Sequence, residues 1–168
     1  SMSITTLDEE LRRAMEPRTA TASQRLNAIA RLSQAGIPVN VMVAPVIPGL
    51  TSEEIAPIIK AASEAGAVSA GFTMVRLNGT IGEIFSQWIR QTFPDRAEKV
   101  LSQVAEAHGG SLSDSRFGTR MRGQGNLAGA IRRIFHLARD KYMPAVVVPS
   151  LNTEAFKRPS RHGQLCLF

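Results

Sequence analysis

The chain has 168 residues, of which 43% are hydrophobic, and this is enough for one domain with a normal buried core. No apolar run approaches the ~20 residues that a membrane-spanning helix needs, and no signal-peptide pattern precedes the first strand-like segment, so we expect a cytoplasmic protein. The single cysteine, Cys166, excludes an internal disulfide and a metal site built from several cysteines of this chain.

The formal net charge of +6 is concentrated in the last third of the chain. Residues 111–168 carry 10 Lys and Arg against 3 Asp and Glu, whereas residues 1–110 carry 10 against 11. Such an excess favours an anionic partner, most commonly nucleic acid. A solvated basic face without a specific partner is the alternative, and composition alone does not separate the two.

The first half of the chain alternates strand-like and helix-like segments. Ser3–Asp8 is short and β-branched, which is typical of a strand. Residues 20–36 carry apolar side chains at helical spacing, with Thr21 or Ser23 as the N-cap. Pro38–Ile47 is a nearly continuous apolar run, as expected of a parallel strand buried on both faces.

The same alternation continues to residue 77. Residues 51–66 are predicted to form a helix capped by Thr51 or Ser52, and Val68–Leu77 is predicted to form a third strand. The short loops of this βαβαβ unit imply parallel strands with right-handed crossovers.

The remaining sequence is predicted to be mostly helical. Segments 80–93, 95–110 and 130–143 have amphipathic helical patterns, and a Gly/Ser/Arg-rich stretch precedes the last of them. We therefore expect three parts. They are a βαβαβ unit at residues 1–79, a helical extension with a Gly/Arg-rich loop at residues 80–143, and a basic Pro/Arg-rich tail at residues 144–168.

Residues that could bind a ligand follow the predicted strands, because parallel α/β sheets bind ligands at the carboxyl ends of their strands. The hydroxyls of Thr5 and Thr6, the loop at Pro45–Gly49 and the amide of Asn78 suit a nucleoside-like ligand. The alternative is that the threonines only favour a strand and the loop is only a turn. The sequence contains no Walker A, GxGxxG, HExxH or CxxC motif.

The stretch "GTRMRGQGNL" predicts a flexible basic loop. Its glycines could present backbone amides, and Arg120 and Arg122 could present guanidinium groups, to phosphate. A plain connector with the same composition is the alternative.

The segment from Ser3 to Thr51 resembles the fourth and fifth βα units of a radical S-adenosylmethionine (SAM) barrel. More narrowly, it is similar to the bacterial branch related to spore photoproduct lyase and labelled "DNA repair photolyase". The matching pieces are Glu16–Arg18, the Arg25-Leu26 helix, "AGIPV", "APVIPGL", "DSRFGTRMRGQG" and the F-x-R-P of Phe156–Pro159.

This resemblance implies the C-terminal half of a partial (β/α)6 TIM-like radical SAM barrel, with parallel strands and a mostly helical C-terminal extension. It also implies SAM, a [4Fe–4S] cluster and reductive cleavage of SAM to a radical. The cluster would be held by a CxxxCxxC motif that this sequence lacks, so we expect the cluster only in a full-length parent. We expect this chain to be inactive alone and to contain no catalytic residue and no metal ligand.

The resemblance places SAM contacts at the ends of these strands. Hydroxyls would meet the ribose, apolar side chains and backbone would meet the adenine, and one arginine would meet the carboxylate. The residues expected to contact SAM are Ser3, Thr5, Thr6, Arg25, Val46, Ile47, Pro48, Met74, Arg76 and Leu77.

The leading functional hypothesis is the SAM-binding half of a radical SAM enzyme that acts on nucleic acid, for example a DNA repair lyase. The residues expected to contact nucleic acid or phosphate are Arg116, Arg120, Arg122, Arg132 and Arg133. One alternative is a radical SAM enzyme that acts on a small molecule or a peptide. Another is a non-catalytic binding module.

The C-terminal "QLCLF" resembles the pentapeptide with which bacterial repair proteins dock on the sliding clamp. Gln164 would fix the orientation, and Leu165, Leu167 and Phe168 would be the apolar anchors. The alternative is that these side chains fold back onto the chain's own core. An isolated half barrel would also expose the edge of the Ser3–Asp8 strand, so we expect pairing through that edge or a rearrangement that covers it.

Overall fold

The computed structural model describes residues 1–143, 150, 153–154 and 156. In this part of the chain there are three strands, one short 3-10 helix and six α-helices. In chain order they are β1 (Met2–Ile4), α1 (Glu9–Met15), α2 (Ala22–Gln34), β2 (Asn40–Val46), the 3-10 helix (Ser52–Glu54), α3 (Ile55–Glu64), β3 (Ser69–Met74), α4 (Thr80–Thr92), α5 (Pro94–Ala107) and α6 (Gly125–Tyr142).

The strands form one parallel sheet in the order β1-β2-β3. Ser3 is opposite Met42 in the first pair, and Met42 is opposite Gly71 in the second. The β2–β3 register is irregular between Val43 and Val46, just before the loop that follows β2. The predicted α/β class with parallel strands is confirmed, and the sheet is compatible with part of a (β/α) barrel.

One face of the sheet packs against α2, α3 and α6. This face is apolar because alternate residues of β2 point toward the helices. Val41 and Val43 are at most 1% exposed and share this core with Ile58 of α3 and Phe135 of α6. The ring of Phe135 also lies 4.7 Å from the ring of Phe72 in β3, measured between centroids. The last helix is therefore part of the main core.

A second core lies at the carboxyl ends of the strands. Ile47 follows β2, Val75 and Leu77 follow β3, and all three are at most 6% exposed. They pack against the helical pair α4–α5, which contributes buried residues such as Ile89 and Val100. This pair thus covers part of the edge of the sheet where ligands of parallel α/β proteins usually bind.

The boundaries of several elements differ from the prediction, and α6 begins at Gly125, five residues before the predicted start at residue 130. The first strand ends at Ile4 rather than at Asp8. Asp8 is instead the N-cap of α1, where its carboxylate accepts hydrogen bonds from the backbone N–H groups of Glu10 and Leu11. The apolar pattern did not predict this helix. Thr51 caps no helix N–H. Its hydroxyl accepts from the backbone N–H of Ile47, which fixes the loop after β2. The Thr21 cap of α2 is confirmed, with a full capping box to Gln24.

The outer edge of β1 carries no strand in the described part of the chain, where β1 pairs only with β2. One of its backbone oxygens, on Ser3, accepts a hydrogen bond from the guanidinium group of Arg25 at 2.9 Å. Pairing of this edge with another chain stays a prediction. Among the described helices, none combines the length and the apolar character needed to cross a membrane.

Candidate functional site

The hydroxyls at the end of β1 are engaged in hydrogen bonds within the chain. Thr6 is 3% exposed and donates to Oε1 of Glu54, whose Oε2 accepts from the backbone N–H of Leu7 at 2.7 Å. Thr6 Oγ1 in turn accepts from the backbone N–H of Asp8 at 3.0 Å. The carboxylate of Glu54 therefore ties the loop after β1 to the short helix after β2.

Thr5 belongs to a neighbouring polar network. Its hydroxyl, in a residue 4% exposed, lies 2.9 Å from Oε1 of Glu16 and 3.0 Å from the backbone oxygen of Ala44. The other oxygen of Glu16 accepts from Nη2 of Arg25 at 2.9 Å and from the hydroxyl of Thr19 at 3.2 Å. Arg25 is thus held by the Glu16 carboxylate and by backbone oxygens, and its guanidinium group braces β1 against α2.

An apolar groove of about 330 Å³ opens where β2 and β3 end. We call it the carboxyl-edge groove, and it is lined by Ala14, Met15, Pro45, Ile47, Val75, Ile81, Ile84, Phe85 and Trp88. Trp88 of α4 closes one side by donating its indole N–H to the backbone oxygen of Ala14 in α1 at 3.1 Å. Its ring also lies 5.6 Å from that of Phe85, between centroids.

Two side chains of this groove remain open to solvent. Ile81 is 54% exposed and Ile84 is 63% exposed, although both lie on α4 beside the buried second core. Aliphatic and aromatic side chains around a concave space are typical of pockets for flat, largely apolar ligand groups such as a nucleobase.

A second groove, of about 380 Å³, lies on the other side of α4. Its lining is more polar and comprises Leu77, Gly79, Gly82, Glu83, Ser86, Gln87, Arg90, Ser111, Leu112 and Ser113. Within this lining, Arg90 forms an ion pair with Glu98 at 2.7 Å, and this pair lowers the pKa of the Glu98 carboxyl.

A buried carboxylate organises residues 114–123, which we call the Asp114 turn. Asp114 is 4% exposed, and its Oδ1 accepts from the backbone N–H and the Nε–H of Arg116 at 3.0 and 2.9 Å. Its Oδ2 accepts from the hydroxyl of Thr119 at 3.2 Å. The Arg116 guanidinium, with the Arg116 backbone N–H, holds the pKa of the Asp114 carboxyl well below its ordinary value.

The Asp114 turn is attached to the end of β3 at two points. His108, at the C-cap of α5 as its position beside Gly109 suggests, is 3% exposed and its Nε2 lies 2.8 Å from the backbone oxygen of Val75. Its Nδ1 has no hydrogen-bond partner in the described chain and lies 3.6 Å from Asp114 Oδ2. The backbone N–H of Met74 donates to the backbone oxygen of Met121 at 2.9 Å.

The turn exposes an aromatic ring among arginines. Phe117 is 92% exposed, and the guanidinium carbon of Arg120 lies 5.5 Å from the centroid of its ring. Arg122 follows on the same turn and is exposed. Arg132 and Arg133 are exposed on α6. Phe117 was absent from the sequence prediction, although an aromatic residue between arginines in a Gly-rich loop was the available signal.

The structure brings the predicted SAM residues together only in part. Thr5, Thr6 and Arg25 line one small cavity beside β1, and the apolar members lie elsewhere. Ile47 lines the carboxyl-edge groove, and Leu77 lines the polar groove. Val46 and Met74 are at most 2% exposed, within the main core. Pro48 lies in the turn after β2. The roles of these residues toward SAM stay predictions.

The polar members of the predicted set are also separate from the groove. Ser3 is exposed, whereas Thr5, Thr6 and Arg25 take part in the networks described above. The Nη1 of Arg76 lies 3.7 Å from the sulfur of Met121, at the Asp114 turn.

The described part of the chain offers no set of ligands for a metal cluster. The single cysteine of the sequence cannot supply the three thiolates of a CxxxCxxC motif. Within the described ranges, no three His, Cys, Asp or Glu side chains are grouped to hold a metal ion. The predicted docking peptide, with Gln164, Leu165, Leu167 and Phe168, lies outside the described residues.

Comparison with known proteins gives a partial match to one superfamily. The family model described as the radical SAM superfamily matches residues 1–62, which span β1 to most of α3. Uncharacterized proteins of Mycobacterium tuberculosis and Mycobacterium bovis are 32% identical to the chain over 97 residues. The match covers 56% of this chain and 28% of each relative.

The aligned part of the chain therefore covers a little over a quarter of the length of these curated relatives. No solved structure matches the chain significantly. The matched segment contains β1 and β2 together with Glu16 and Glu54. The hydrogen-bond networks of Thr5 and Thr6 therefore lie within the part of the fold that matches the superfamily.

Proposed function

We propose that this chain is the SAM-binding half of a radical SAM enzyme that acts on nucleic acid, as in the DNA repair branch related to spore photoproduct lyase. The observation that supports it is the position of the carboxyl-edge groove. The groove lies at the ends of β2 and β3, and β2 belongs to the segment that matches the superfamily. Parallel α/β folds bind their ligands at this edge.

The residues of the groove fit one part of SAM. A flat adenine ring suits a space of about 330 Å³ between Ile47, Val75 and the aromatic side chains of α4. The hydroxyls of Thr5 and Thr6 fit the ribose less well, because both already donate within the chain. Ser3 is exposed but lies opposite Met42 and outside the groove, so no predicted hydroxyl is assigned to the ribose.

The [4Fe–4S] cluster does not fit this chain, because one cysteine cannot hold it. Under the proposal, the cluster ligands are supplied by protein outside these 168 residues, and the chain's own residues bind and orient the nucleoside part of the cofactor. The groove would also exclude water from one face of the adenine ring.

Thermal unfolding with three ligands tests this proposal on the 168-residue chain. At ten times the dissociation constant, SAM stabilises by about 1.4 kcal/mol and raises Tm by roughly 3–6 °C. Adenosine is expected to raise Tm as well, because it carries the ring that the groove would hold, and methionine is not. A Tm that responds to methionine alone, or to none of the three, would contradict the proposal.

Substitution of two exposed isoleucines tests where on the chain SAM and adenosine bind. Ile84 is 63% exposed in the groove, and Ile37 is 49% exposed between α2 and β2, at the other end of the strands. Neither Ile84→Asp nor Ile37→Asp removes a buried side chain, so both variants are expected to fold. Only Ile84→Asp is expected to abolish the Tm shift caused by adenosine and SAM.

The predicted alternatives remain open proposals. A substrate that is a small molecule or a peptide is also compatible with an apolar groove. Docking on a sliding clamp concerns a peptide outside the described residues. Binding assays with a small molecule, a peptide or a sliding clamp would distinguish these alternatives from binding to nucleic acid.

A further inference from the structure

The ring of Phe117 is exposed to an unusual degree. The residue is 92% exposed, compared with 73% for Phe156 and 71% for Leu137 on α6. Burial of an aromatic ring lowers the free energy of a protein. Rings that are exposed to water beside polar groups are characteristic of binding surfaces. The ring of Phe117 is therefore available to contact a partner.

The exposure is fixed by the Asp114 turn. Asp114 holds the residue before Phe117 through the backbone N–H of Arg116, and it holds the hydroxyl of Thr119 two residues after Phe117. The backbone N–H of Gly123 donates to the backbone oxygen of Thr119 at 2.7 Å and closes the turn. The backbone on both sides of Phe117 is thus held in place before binding, which lowers the entropy cost of using this loop.

The surroundings of the ring are cationic. Arg120 lies over Phe117, and Arg122 follows two residues later. Within the described ranges, neither guanidinium group forms an ion pair with a carboxylate. Residues 111–143 carry 7 Lys and Arg against 2 Asp and Glu, and these two acidic residues, Asp114 and Asp140, pair with arginines next to them.

We propose that the Asp114 turn binds single-stranded nucleic acid. An unpaired base stacks on Phe117, and the flanking phosphates contact Arg120 and Arg122. Stacking on an exposed aromatic ring combined with cationic contacts to the backbone is how proteins hold single strands. A duplex keeps its bases stacked on one another, so Phe117 would gain little from it.

The position of the turn links this surface to the groove. Met121 of the turn accepts from the backbone N–H of Met74, and the next residue after Met74 is Val75, which lines the carboxyl-edge groove. A base on Phe117 would therefore lie on the same edge of the sheet as the groove. The inference deepens the proposed function and rests on the nucleic-acid substrate named there, but not on SAM binding.

Fluorescence anisotropy with labelled oligonucleotides tests the inference on the full 168-residue chain. The probes are a single strand of about twelve nucleotides and the duplex of the same sequence, a length within the range that single-strand binding folds cover. We expect tighter binding of the single strand. Phe117→Ala should weaken that binding about tenfold or more, and Phe117→Trp should retain it. Ile37→Ala, which removes an exposed side chain elsewhere, should have no effect.

The salt dependence of oligonucleotide binding distinguishes the contribution of the Phe117 ring from that of the arginines. Arg122→Gln should lower the slope of log affinity against log salt by about 0.7 for each phosphate that the variant no longer neutralises. Phe117→Ala should leave that slope unchanged, because stacking releases no counterions. If the surface is built as proposed, Arg122→Gln therefore lowers the salt slope, whereas Phe117→Ala lowers the affinity at an unchanged slope.

Three results would overturn the inference. The first is a Phe117→Ala chain that binds the single strand as tightly as the unchanged chain. The second is equal binding of duplex and single strand. The third is a change of oligomeric state in sedimentation caused by Phe117→Ala, since the ring would then be a protein contact. Loss of SAM binding with intact Phe117-dependent binding would refute only the cofactor assignment.

Discussion

Two carboxylates organise two loops of this molecule, and they do so over very different distances along the chain. Glu54 accepts hydrogen bonds from Thr6 and Leu7, which are 48 and 47 residues away in sequence. Asp114 accepts from Arg116 and Thr119, which are 2 and 5 residues away. The first carboxylate joins two parts of the parallel sheet, and the second shapes a single turn.

The comparison shows how one type of interaction serves two purposes. Around Glu54, the polar groups satisfy one another and little is left for a ligand. Around Asp114, the carboxylate restrains the backbone, and the side chains of Phe117 and Arg122 are left exposed. We therefore expect the loss of Glu54 to affect the whole fold and the loss of Asp114 to affect binding.

The largest expected effect is that of Glu54→Ala. The variant leaves the hydroxyl of Thr6, in a residue 3% exposed, and the N–H of Leu7 without their acceptor. We expect the free energy of unfolding to fall by about 2–4 kcal/mol, measured with urea. The control is Glu53→Ala at the exposed neighbouring position, for which we expect a change within about 0.5 kcal/mol. Equal stability of the two variants would contradict this account of Glu54.

A smaller and local effect is expected for Asp114→Asn. The variant should raise hydrogen exchange at the amides of Arg116 and Gly123 and weaken binding of a single strand, with little change in Tm. The control is Asp140→Asn, which removes the same charge from an exposed ion pair with Arg139. Tighter oligonucleotide binding by both variants would show that charge, rather than the shape of the turn, controls binding.

The same carboxylate predicts how the turn responds to pH. Since Arg116 keeps the pKa of Asp114 below its ordinary value of 3.8, the ionised group stabilises the turn at any pH above the unfolded pKa. This contribution is lost only as the pH falls through the lower, folded pKa. Exchange protection of the turn, corrected for intrinsic rates, should therefore be constant from about pH 8 to about pH 5. A loss of protection near pH 6 would mean that another titrating group controls the turn.

The sequence predicts the order of the main elements because their signals are local. Apolar periodicity, a cap at Thr21 and short Gly-containing loops are all read within a few residues, and they led to the parallel sheet that the structure contains. Helix α1 was missed because its seven residues hold too few apolar positions for a periodic pattern. Its available signal was Asp8 followed by two glutamates.

The candidate site was less predictable because it depends on distant pairs. Nothing in the sequence connects Glu54 with Thr6, so hydroxyls that looked free for a ribose are engaged in the fold. Likewise, the sequence predicted contacts from apolar residues at the ends of β2 and β3, but it did not indicate which sheet face each residue occupies. Val46 and Met74 lie in the main core, whereas Ile47 and Val75 reach the groove.

The central claim is that the carboxyl-edge groove holds the nucleoside part of SAM, and isoleucine-methyl NMR tests it most directly. Titration with SAM should shift the methyl signals of the groove residues Ile47, Ile81 and Ile84. The methyl signals of Ile58 and Ile59, which lie on α3 in the main core, should stay unchanged. Shifts confined to the α3 methyls, or no shift at saturating SAM, would contradict the claim.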